Sequence, residues 1–429
     1  MTDKSNPDQT PTPSRRGFLK SSALLSGAAL TLPLTSANAF ARGRDEMRIG
    51  LVGCGGRGTG AANDCMTADP GVKLVAMGDL FDDRLKSSRR HLTASKPKQV
   101  DLKDENCFVG FDAYKKVLAC DIDLILFATP PGFRSRHIEA AIEAGKHVFA
   151  EKPVAVDPVT ARQVMEAARL AEENGLSIVA GTQRRHQNTY LETMKRIQDG
   201  AIGDIVSAQC YWNQGGLWCH ERKPGYTDVE WQIRNWLYFA WLSGDHIVEQ
   251  HIHNIDVVNW AMGGHPEVCI GLGGRQVRTD PKYGHIFDHF AIEYEYSNGV
   301  RAHSYCRQQD GTKGEVSERL VGTKGTANPN GSIFGKETWR LNRKHHNNPY
   351  VQEHIDLIKG IRAGKPLNEG QRVAESTLTA IMGRIAAYTG KKVTWEHMMK
   401  SNLSLVPNAN AFGDLSVHPV AIPGRTPLE

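Results

Sequence analysis

Residues 47–58 read Met47-Arg48-Ile49-Gly50-Leu51-Val52-Gly53-Cys54-Gly55-Gly56-Arg57-Gly58, a short apolar run followed directly by a glycine-rich loop. A helical pattern then continues to about Ala68, so the stretch predicts a strand, a tight turn and a helix. Gly53 permits the turn, Gly55 lets backbone N–H groups approach a phosphate, and Gly58 allows close packing of helix on strand. The stretch therefore predicts a loop that binds the pyrophosphate of a dinucleotide. A tight turn without a ligand is the simpler alternative.

An acidic residue ends the next predicted strand, which begins at Val72. Asp79 stands 21 residues after Gly58. Its carboxylate can accept hydrogen bonds from both ribose hydroxyls of NAD and would repel the 2′-phosphate of NADP, so NAD is the expected cofactor. Arg57 is a nearby cation, and it keeps NADP open as the alternative.

Two further apolar runs complete the pattern of a parallel sheet. Residues 121–128 end in Thr129-Pro130-Pro131, and residues 146–150 end in Glu151-Lys152-Pro153. Near-continuous apolar strands that alternate with helical stretches are typical of an α/β fold with helices on both faces of the sheet. Ligands of such sheets bind beyond the carboxyl ends of the strands, where these polar residues would lie together with Asp79.

With Glu151-Lys152-Pro153 and His253-Asn254-Ile255-Asp256 included, the chain resembles the glucose–fructose oxidoreductase and inositol dehydrogenase family (Gfo/Idh/MocA) from about Met47 to Trp395. The resemblance implies an N-terminal Rossmann dinucleotide-binding domain and a C-terminal α/β domain with a large open mixed β-sheet. It also implies a pyranose, cyclitol or related polyol as the substrate, and a homodimer or homotetramer. Family members often have a cis peptide bond at the position of Lys152-Pro153.

The expected organisation is an export signal, two domains and a tail. The ranges are 1–39 for the signal, 47–155 for the Rossmann domain, 183–349 for the substrate-binding and oligomerisation domain, and 396–429 for an extended tail. Residues 156–182 and C-terminal helices at about 350–389 are expected to pack near the Rossmann domain. Two domains also suit the length, because about 390 residues after the signal are many for a single core.

The N-terminal residues carry the pattern of a twin-arginine export signal. Ser14-Arg15-Arg16-Gly17-Phe18-Leu19-Lys20 precedes the Ala/Leu-rich stretch 23–34 and the cleavage pattern Ala37-Asn38-Ala39. The twin-arginine translocase would then deliver a chain that starts at Phe40 to the periplasm or another exported location, without membrane insertion. A soluble nicotinamide pool is not expected there. The protein should therefore leave the cell folded around its cofactor and recycle that cofactor in place.

Composition excludes some classes of partner and site. The formal net charge is +5, and it falls to +3 without residues 1–39, which argues against a nucleic-acid partner. The eight cysteines include no C-x-x-C pair, so a zinc ribbon or thiol redox motif is not expected. Cargo of this export pathway folds in the reducing cytoplasm, so most thiols should be free and buried. Cys210 and Cys219 are the pair to check for a disulfide.

Residues 244–262 are predicted to form one helix, which Asp245 caps and Gly263 ends. Four polar residues would then share one face of that helix, namely His246, Glu249, His253 and Asp256. A metal site formed by histidines of this helix with Glu249 is an alternative, and no metal is expected because no further ligand from elsewhere is evident. A core histidine that is hydrogen-bonded to a carbonyl is the simpler reading of His253.

Hydride leaves a carbinol carbon only as its hydroxyl proton departs, so a base must reach that hydroxyl. The resemblance assigns Lys152 to orient the hydroxyl and to stabilise developing alkoxide charge. It assigns His253 as the general base, which we expect nearby carboxylates to tune toward the working pH. Glu249 stands where the family has Asp and reaches one methylene further, so that it can support His253 or contact the substrate.

The remaining candidate residues surround these two groups. Those expected to contact the cofactor are Gly53, Gly55, Gly56, Arg57, Gly58, Asp79, Thr129, Pro130, Glu151, Lys152 and Gln183. Those expected to contact the substrate are Arg184, Trp212, Arg234, Trp236 and Asp256. Aromatic faces stack on sugar rings, and Arg donates hydrogen bonds to hydroxyls. For each Trp, a place in the core is the simpler alternative.

Three functions fit these features. The first is an exported oxidoreductase of a sugar, cyclitol or polyol that keeps its NAD bound. The second is a redox-neutral glycoside hydrolase, in which transient oxidation at C3 acidifies the C2 proton before elimination, hydration and return of the hydride. The third is a noncatalytic sugar-binding protein, against which Lys152 and His253 both argue. The sequence does not identify the sugar, the reacting carbon or the anomer.

Overall fold

Two β-sheets organise residues 45–408 and 410–429, which are the residues that the computed structural model describes. The twin-arginine signal and its cleavage site, expected within residues 1–40, lie outside the described residues. The strands are β1 Met47–Val52, β2 Val72–Asp79, β3 Cys107–Val109, β4 Leu124–Phe127, β5 His147–Ala150, β6 Ile178–Ala180, β7 Ile205–Gln214, β8 Val268–Gly274, β9 His289–Glu295, β10 Arg301–Gln308, β11 Glu315–Gly322, β12 Gly325–Asn328, β13 Ser332–Gly335, β14 Trp339–Arg340 and β15 Val393–Thr394.

Helices connect and cover these strands. They are α1 Gly56–Ala68, α2 Asp82–Ser95, α3 Ala113–Leu118, α4 Arg134–Glu143, α5 Pro158–Glu173, α6 Asn188–Gln198, α7 Asp228–Arg234, α8 Ala240–Ser243, α9 His246–Glu249, α10 Ile252–Met262, α11 Pro349–Arg362, α12 Gly370–Thr389 and α13 Trp395–Lys400. None of the described helices combines the length and the hydropathy that a membrane span requires.

The first sheet has the order β3-β2-β1-β4-β5-β6, and every neighbouring pair is parallel. Side chains of β1 alternate between its two faces, as the strand period of two requires. Ile49 and Leu51 pack with residues of α1 and α11, whereas Val52 packs with residues of α3, α4 and α12. Both faces are therefore buried, which confirms the parallel Rossmann-type sheet predicted from its apolar strands.

The second sheet has the order β14-β13-β12-β11-β7-β10-β9-β8-β15. The β7–β10 pair is parallel and the other neighbouring pairs are antiparallel, so the sheet is mixed, as expected. One face is buried against α10 and α12, through residues such as Ile292 and Leu378. The opposite face exposes apolar side chains, among them Leu272 at 76% and Ile270 at 53% of their accessible area.

The C-terminal segment begins with a helix before it becomes irregular. Thr394 caps α13 by accepting a hydrogen bond from the His397 N–H, so regular structure extends to Lys400. The described residues beyond it form no helix or strand, yet hydrogen bonds tie them to the body of the molecule. The Leu405 N–H donates to Asp157 Oδ2 at 2.7 Å.

Asp157 has a second role as the N-cap of α5. Its Oδ1 accepts a hydrogen bond from the Thr160 N–H at 2.8 Å, while Thr160 Oγ1 accepts one from the Asp157 N–H. The side chain is fully buried, so each oxygen satisfies a backbone donor that water cannot reach. One carboxylate thus joins the start of α5 to the C-terminal segment.

Asp157→Ala and Asp157→Asn should destabilise the protein to different extents. Asn keeps the cap acceptor but cannot also accept from Leu405, whereas Ala loses both bonds. We expect losses of about 1–2 kcal/mol for Asn and about 2–4 kcal/mol for Ala in the free energy of unfolding. Urea denaturation measures both. Equal stability of the two variants would contradict the dual role.

Candidate active site

The glycine-rich loop forms a cradle at the N-terminus of α1. Gly53 has a φ of +94°, and a Cβ there would lie 2.6 Å from the backbone at Thr129. A Cβ on Gly58 would lie 1.8 Å from the Gly53 carbonyl oxygen, so helix and strand are in direct contact. Around Gly55 and Gly56 the corresponding positions are open, and no side chain caps the helix. The free N–H groups at this end suit a pyrophosphate.

A cavity of about 450 Å³ extends from this loop along the carboxyl ends of the strands. Its lining includes residues that follow β1, β2, β3 and β4, among them Gly53, Gly55, Gly56, Arg57, Gly58, Asp79, Phe81, Phe111, Thr129 and Pro130. The volume lies in the range of small-molecule sites. The cradle and the cavity therefore fit the dinucleotide that the sequence predicted, with its phosphates at Gly55 and Gly56.

Asp79 is fixed at the rim of this cavity. Its Oδ2 accepts a hydrogen bond from the Cys54 N–H at 2.5 Å, and its Oδ1 accepts one from the Phe81 N–H at 2.8 Å. Burial raises the pKa of Asp79, and the two backbone donors oppose that rise. The carboxylate is thus oriented before any ligand binds, in the position where a ribose diol is expected.

Arg57 is held by three carboxylates. Its guanidinium pairs with Glu151, with Glu353 Oε1 at 3.2 Å and with Asp64 Oδ2 at 3.5 Å. Glu151 has room because residue 181 is glycine, where a Cβ would lie 2.4 Å from the Glu151 carboxylate. The cation that kept NADP open as a cofactor is therefore already neutralised, and Glu151 positions Arg57.

Lys152 forms a largely buried ion pair with Glu249. The ammonium Nζ lies 2.9 Å from Glu249 Oε1 and also donates to the Glu249 carbonyl oxygen at 2.5 Å. The peptide bond between Lys152 and Pro153 is cis, and Arg134 donates to the Pro153 carbonyl at 2.6 Å. Two of the three predicted catalytic residues are thus in direct contact.

His253 is buried and stacks on Trp212, with 5.7 Å between the ring centroids. Burial lowers the pKa of His253 well below its ordinary value, and the positive charges of Lys152 and Arg184 lower it further. The expectation that carboxylates tune this histidine is therefore wrong, because Glu249 neutralises Lys152 instead. His253 is a neutral imidazole, and its Nδ1 has no hydrogen-bond partner in the described part of the chain.

The single helix predicted over residues 244–262 is interrupted. Asp245 caps α9 and Gly263 ends α10 as expected, but α9 stops at Glu249. At the break, Gln250 accepts a hydrogen bond from Gln214 at 2.6 Å, and His251 lies 2.7 Å from Ser304 Oγ. Backbone hydrogen bonds continue through the turn, from the Gln250 and His251 N–H groups to the His246 carbonyl, while these two side chains contact two strands of the second sheet.

The break separates the four residues that were expected on one face. His246 packs edge-on against Phe290, at 5.1 Å between centroids. Asp256 forms a two-point ion pair with Arg185, at 2.8 and 2.9 Å, and accepts a further bond from Ser376. Because both Asp256 oxygens are already engaged, the geometry gives this residue a structural part in place of the predicted substrate contact.

Arg184 lies close to the stacked pair. Its guanidinium carbon is 5.8 Å from the centroid of the Trp212 ring. The guanidinium group forms an ion pair with the buried Glu318. Glu318 also accepts hydrogen bonds from Asn254 at 2.7 Å and Tyr190 at 3.1 Å. Glu318 therefore fixes Arg184 beside the predicted substrate position, and single-sequence patterns gave no signal for it.

Gln183 begins the short 3-10 turn Gln183–His186, which follows β6. Its Oε1 is buried without a hydrogen-bond partner among the described residues. Since β6 neighbours β5 in the sheet, Gln183 and Lys152 follow adjacent strands at the same edge. An unpartnered acceptor at that edge suits a ligand that brings a donor.

A row of amide groups, which the sequence patterns missed, extends from Trp212. The indole Nε1 donates to Gln214 at 3.0 Å, and both Gln214 and Gln308 donate to Gln250 Oε1, at 2.6 and 3.2 Å. Arg278 completes the row by donating to Gln308 at 2.5 Å. Because the Gln250 oxygen accepts twice, its NH₂ group is left as a donor for a ligand.

Arg234 and Trp236 line the dinucleotide cavity, whose lining does not include Lys152 or His253. Arg234 stacks over the Phe81 ring at 3.7 Å and lies 3.4 Å from Asp83, at the start of α2. Trp236 contacts Trp218 edge-on at 6.1 Å, and both line the cavity. The structure thus places these two residues with Asp79 and the cofactor loop.

Metal and disulfide sites are absent from the described ranges. Within residues 45–408 and 410–429, no three His, Cys, Asp or Glu side chains are arranged to bind a metal ion. All eight cysteines, which lie in these ranges, carry free thiols. Five of them are buried and three are half-buried, and the Cys210–Cys219 disulfide is not formed.

Comparison with known families and proteins agrees with this architecture. Residues 47–182 match the Gfo/Idh/MocA profile described as "Oxidoreductase family, NAD-binding Rossmann fold". Residues 190–328 match the profile described as "GFO/IDH/MocA C-terminal domain". Together the two matches cover more than half of the chain.

Curated relatives with different names are similar to parts of the chain. A scyllo-inositol 2-dehydrogenase (NAD(+)) of Bacillus subtilis is 23% identical over 66% of this chain and 73% of its own length. A 2,7-anhydro-N-acetylneuraminate hydratase of Escherichia coli is 26% identical over 42% of this chain and 44% of its own length. The chain spans about half the length of several curated relatives that it matches.

Solved structures share the fold. The crystal structure of scyllo-inositol dehydrogenase from Lactobacillus casei with bound NAD(H) and scyllo-inositol aligns with a TM-score of 0.62 at 19% identity. The alignment covers 81% of this chain and 99% of that one. This likeness establishes the architecture of both sheets.

Gly58→Ala and Gly55→Ala should separate folding from cofactor binding. The Gly58 Cβ would overlap the Gly53 carbonyl, so that variant should lose about 1–3 kcal/mol of stability. The Gly55 Cβ has free space in the protein but enters the cradle, so NADH affinity should fall about tenfold or more with little change in Tm. Thermal melting and NADH fluorescence titration measure the two effects. Unchanged NADH affinity of Gly55→Ala would rule out the cradle.

His186 should stabilise the protein in a pH-dependent way. Burial lowers its pKa, but contacts of its ring with Asp356 at 2.7 Å and Glu369 at 3.3 Å outweigh burial and raise the pKa to about 9. A pKa raised on folding stabilises the protonated form. The contribution is therefore complete below the unfolded value of about 6.5 and is lost as pH rises through about 9.

His186→Gln should accordingly lose on the order of 2–3 kcal/mol of stability at pH 6, and the difference from the unsubstituted protein should shrink above pH 9. Urea denaturation at pH 6 and pH 9.5 measures this. His91→Gln, on the exposed side of α2, is the matched control. A His186 effect that does not change with pH would exclude the charged pair.

Proposed function

The chain belongs to the Gfo/Idh/MocA oxidoreductase family, and from that premise we propose that it is an exported NAD-dependent oxidoreductase of a sugar, cyclitol or related polyol. The proposal includes a cofactor that stays bound between turnovers. The observation that carries it is the Lys152–Glu249 ion pair next to neutral His253, at the strand edge that continues from the dinucleotide cavity.

These residues can perform the proton chemistry of carbinol oxidation. A neutral His253 imidazole can accept the proton of a substrate hydroxyl. The Lys152 ammonium can stabilise the negative charge that develops on that oxygen, and Glu249 orients the ammonium. NAD, when bound, supplies the hydride acceptor. Since burial and neighbouring cations lower the pKa of His253, the imidazole is neutral and has a lone pair available for the hydroxyl proton.

The surroundings favour a polyhydroxylated ring as the substrate. The Trp212 ring offers an aromatic surface, and Arg184 is fixed next to it by Glu318. Gln250, in the turn between α9 and α10, supplies an amide NH₂ donor, because its oxygen already accepts two hydrogen bonds. Several hydrogen-bond donors around an apolar face suit a sugar or cyclitol.

Export and assembly belong to the same proposal. The twin-arginine motif at residues 14–20 supports delivery by the twin-arginine translocase to the periplasm or another exported location. The exposed apolar side chains on the outer face of the second sheet, Leu272 and Ile270 among them, support a homodimer or homotetramer. Retention of the cofactor follows from export, because the exported chain has no nicotinamide pool to draw on.

A redox-neutral glycoside hydrolase is the second candidate. The relatives named 2,7-anhydro-N-acetylneuraminate hydratase favour it, since that name is not one of a simple dehydrogenase. Such a reaction returns the hydride within each turnover, so it also needs no cofactor exchange. The same Lys152 and His253 would move the protons of both reactions.

One experiment tests both candidates. The purified protein, with no added cofactor, is incubated with a panel of sugars, cyclitols and aryl glycosides. NADH absorbance and aglycone release are recorded together. A substrate-dependent NADH signal without aglycone release supports the oxidoreductase, and aglycone release without net NADH supports the hydrolase. Protein that lacks NAD and turns over only with millimolar NAD added would refute the retained cofactor.

Lys152→Ala should lower turnover about 10²- to 10⁴-fold in this assay, the range for loss of an acid–base group. The bound NAD content should stay unchanged. Lys313→Ala, at an exposed lysine in the loop after β10, is the matched control. Near-native turnover of Lys152→Ala on the substrate found would exclude Lys152 from the chemistry.

A further inference from the structure

The C-terminal segment packs against side chains that line the cavity near Asp79. We call residues 410–415 the strap. The Phe412 ring stacks on Phe81 at 5.9 Å and contacts Phe111 edge-on at 5.3 Å. Phe81 and Phe111 both line the cavity, and the Phe81 N–H donates to the Asp79 carboxylate. The strap thus reaches the place where the ribose of a dinucleotide is expected.

Both ends of the strap are held by hydrogen bonds. Arg136, another residue of the cavity lining, donates to Asn410 Oδ1 at 3.3 Å. The Val229 N–H donates to the Gly413 carbonyl at 3.1 Å, and Gln232 donates to the Leu415 carbonyl at 2.7 Å. These bonds attach an irregular segment to the first sheet's helix α4 and to α7.

Helix α7 and the strap close the same end of the cavity. Ile233 and Arg234, from α7, line it, and the Arg234 guanidinium lies over the Phe81 ring on which Phe412 stacks. Asp228, at the start of α7, accepts a hydrogen bond from the Leu415 N–H at 3.1 Å. Phe81 is therefore in contact with a cation from α7 and with an aromatic ring from the strap.

We propose that the strap completes the binding site for the adenosine half of the dinucleotide and that Phe412 slows its release. Adenine is a flat aromatic ring, and aromatic side chains stabilise bases by stacking. Release from this end would require the strap to leave the Phe81 and Phe111 rings and α7. The inference rests on the proposed retention of NAD, for which it supplies the physical cause.

The test compares Phe412→Ala with the unsubstituted full chain. Each protein is loaded with NADH, and excess NAD⁺ displaces it while NADH fluorescence is followed by stopped flow. Loss of the ring that packs on Phe81 and Phe111 should loosen these two rings of the cavity lining and raise the dissociation rate about tenfold. Phe412→Trp, which keeps an aromatic ring, should restore slow release.

Two controls distinguish a specific effect of Phe412 from effects of any substitution in the C-terminal segment and from loss of stability. Val417→Ala alters an exposed side chain of the same C-terminal segment, outside the ring cluster, and should leave the dissociation rate unchanged. The Tm without cofactor shows whether Phe412→Ala disturbs the fold.

The experiment distinguishes failure of the strap proposal from failure of the proposed cofactor retention. If Phe412→Ala, with an unchanged Tm, releases NADH at the rate of the unsubstituted protein, the strap proposal is overturned. If the unsubstituted protein itself releases NADH rapidly, retention fails, and the ratio of the two rates still measures the contribution of Phe412.

Discussion

The parallel first sheet places every residue assigned to the cofactor at one edge. Because all six strands run in the same direction, the glycine loop after β1, Asp79 at the end of β2, Thr129 after β4 and Lys152 after β5 must meet there. Only backbone pairing enforces this meeting, since these residues are far apart in sequence. Helices that pack on the second sheet then bring Glu249 and His253 close to the residues at this edge of the first sheet. The direction of the strands is therefore the constraint on which the site depends.

Buried charges near this edge are paired across elements. Arg57 pairs with Glu151 and Glu353, Lys152 with Glu249, Arg184 with Glu318, and Arg185 with Asp256. A buried charge without a partner is costly, so each pair fixes the separation of the two segments that supply it. His253 has no such partner, and burial together with the charges of Lys152 and Arg184 lowers its pKa. The ion pairs thus fix the segments around an imidazole that is neutral.

The features that the sequence predicted correctly are those that short local patterns determine. Strand–loop–helix order, the glycine cradle and Asp79 follow from short stretches whose spacing has a direct steric meaning, and the structure agrees with the predicted parallel and mixed sheets. The break between α9 and α10 could not be predicted in this way. At the break, Gln250 accepts a hydrogen bond from Gln214 and His251 lies 2.7 Å from Ser304 Oγ, and both partners belong to strands far away in sequence. For the same reason Asp256 was predicted at the substrate, whereas its ion pair with Arg185 is a tertiary contact.

Arg234 and Trp236 were predicted to contact the substrate, and the structure places them in the cavity that contains Asp79. Aromatic rings with a neighbouring cation suit a sugar, but they equally suit the adenine and ribose of a dinucleotide. The contacts of Arg234 with Phe81 and Asp83 favour the dinucleotide for this residue. Asp157 then links this end to the chemistry, because it caps α5 four residues after Pro153 and also binds the segment that leads to the strap. The start of α5, shortly after Lys152, and the segment that leads to the strap therefore share one buried anchor.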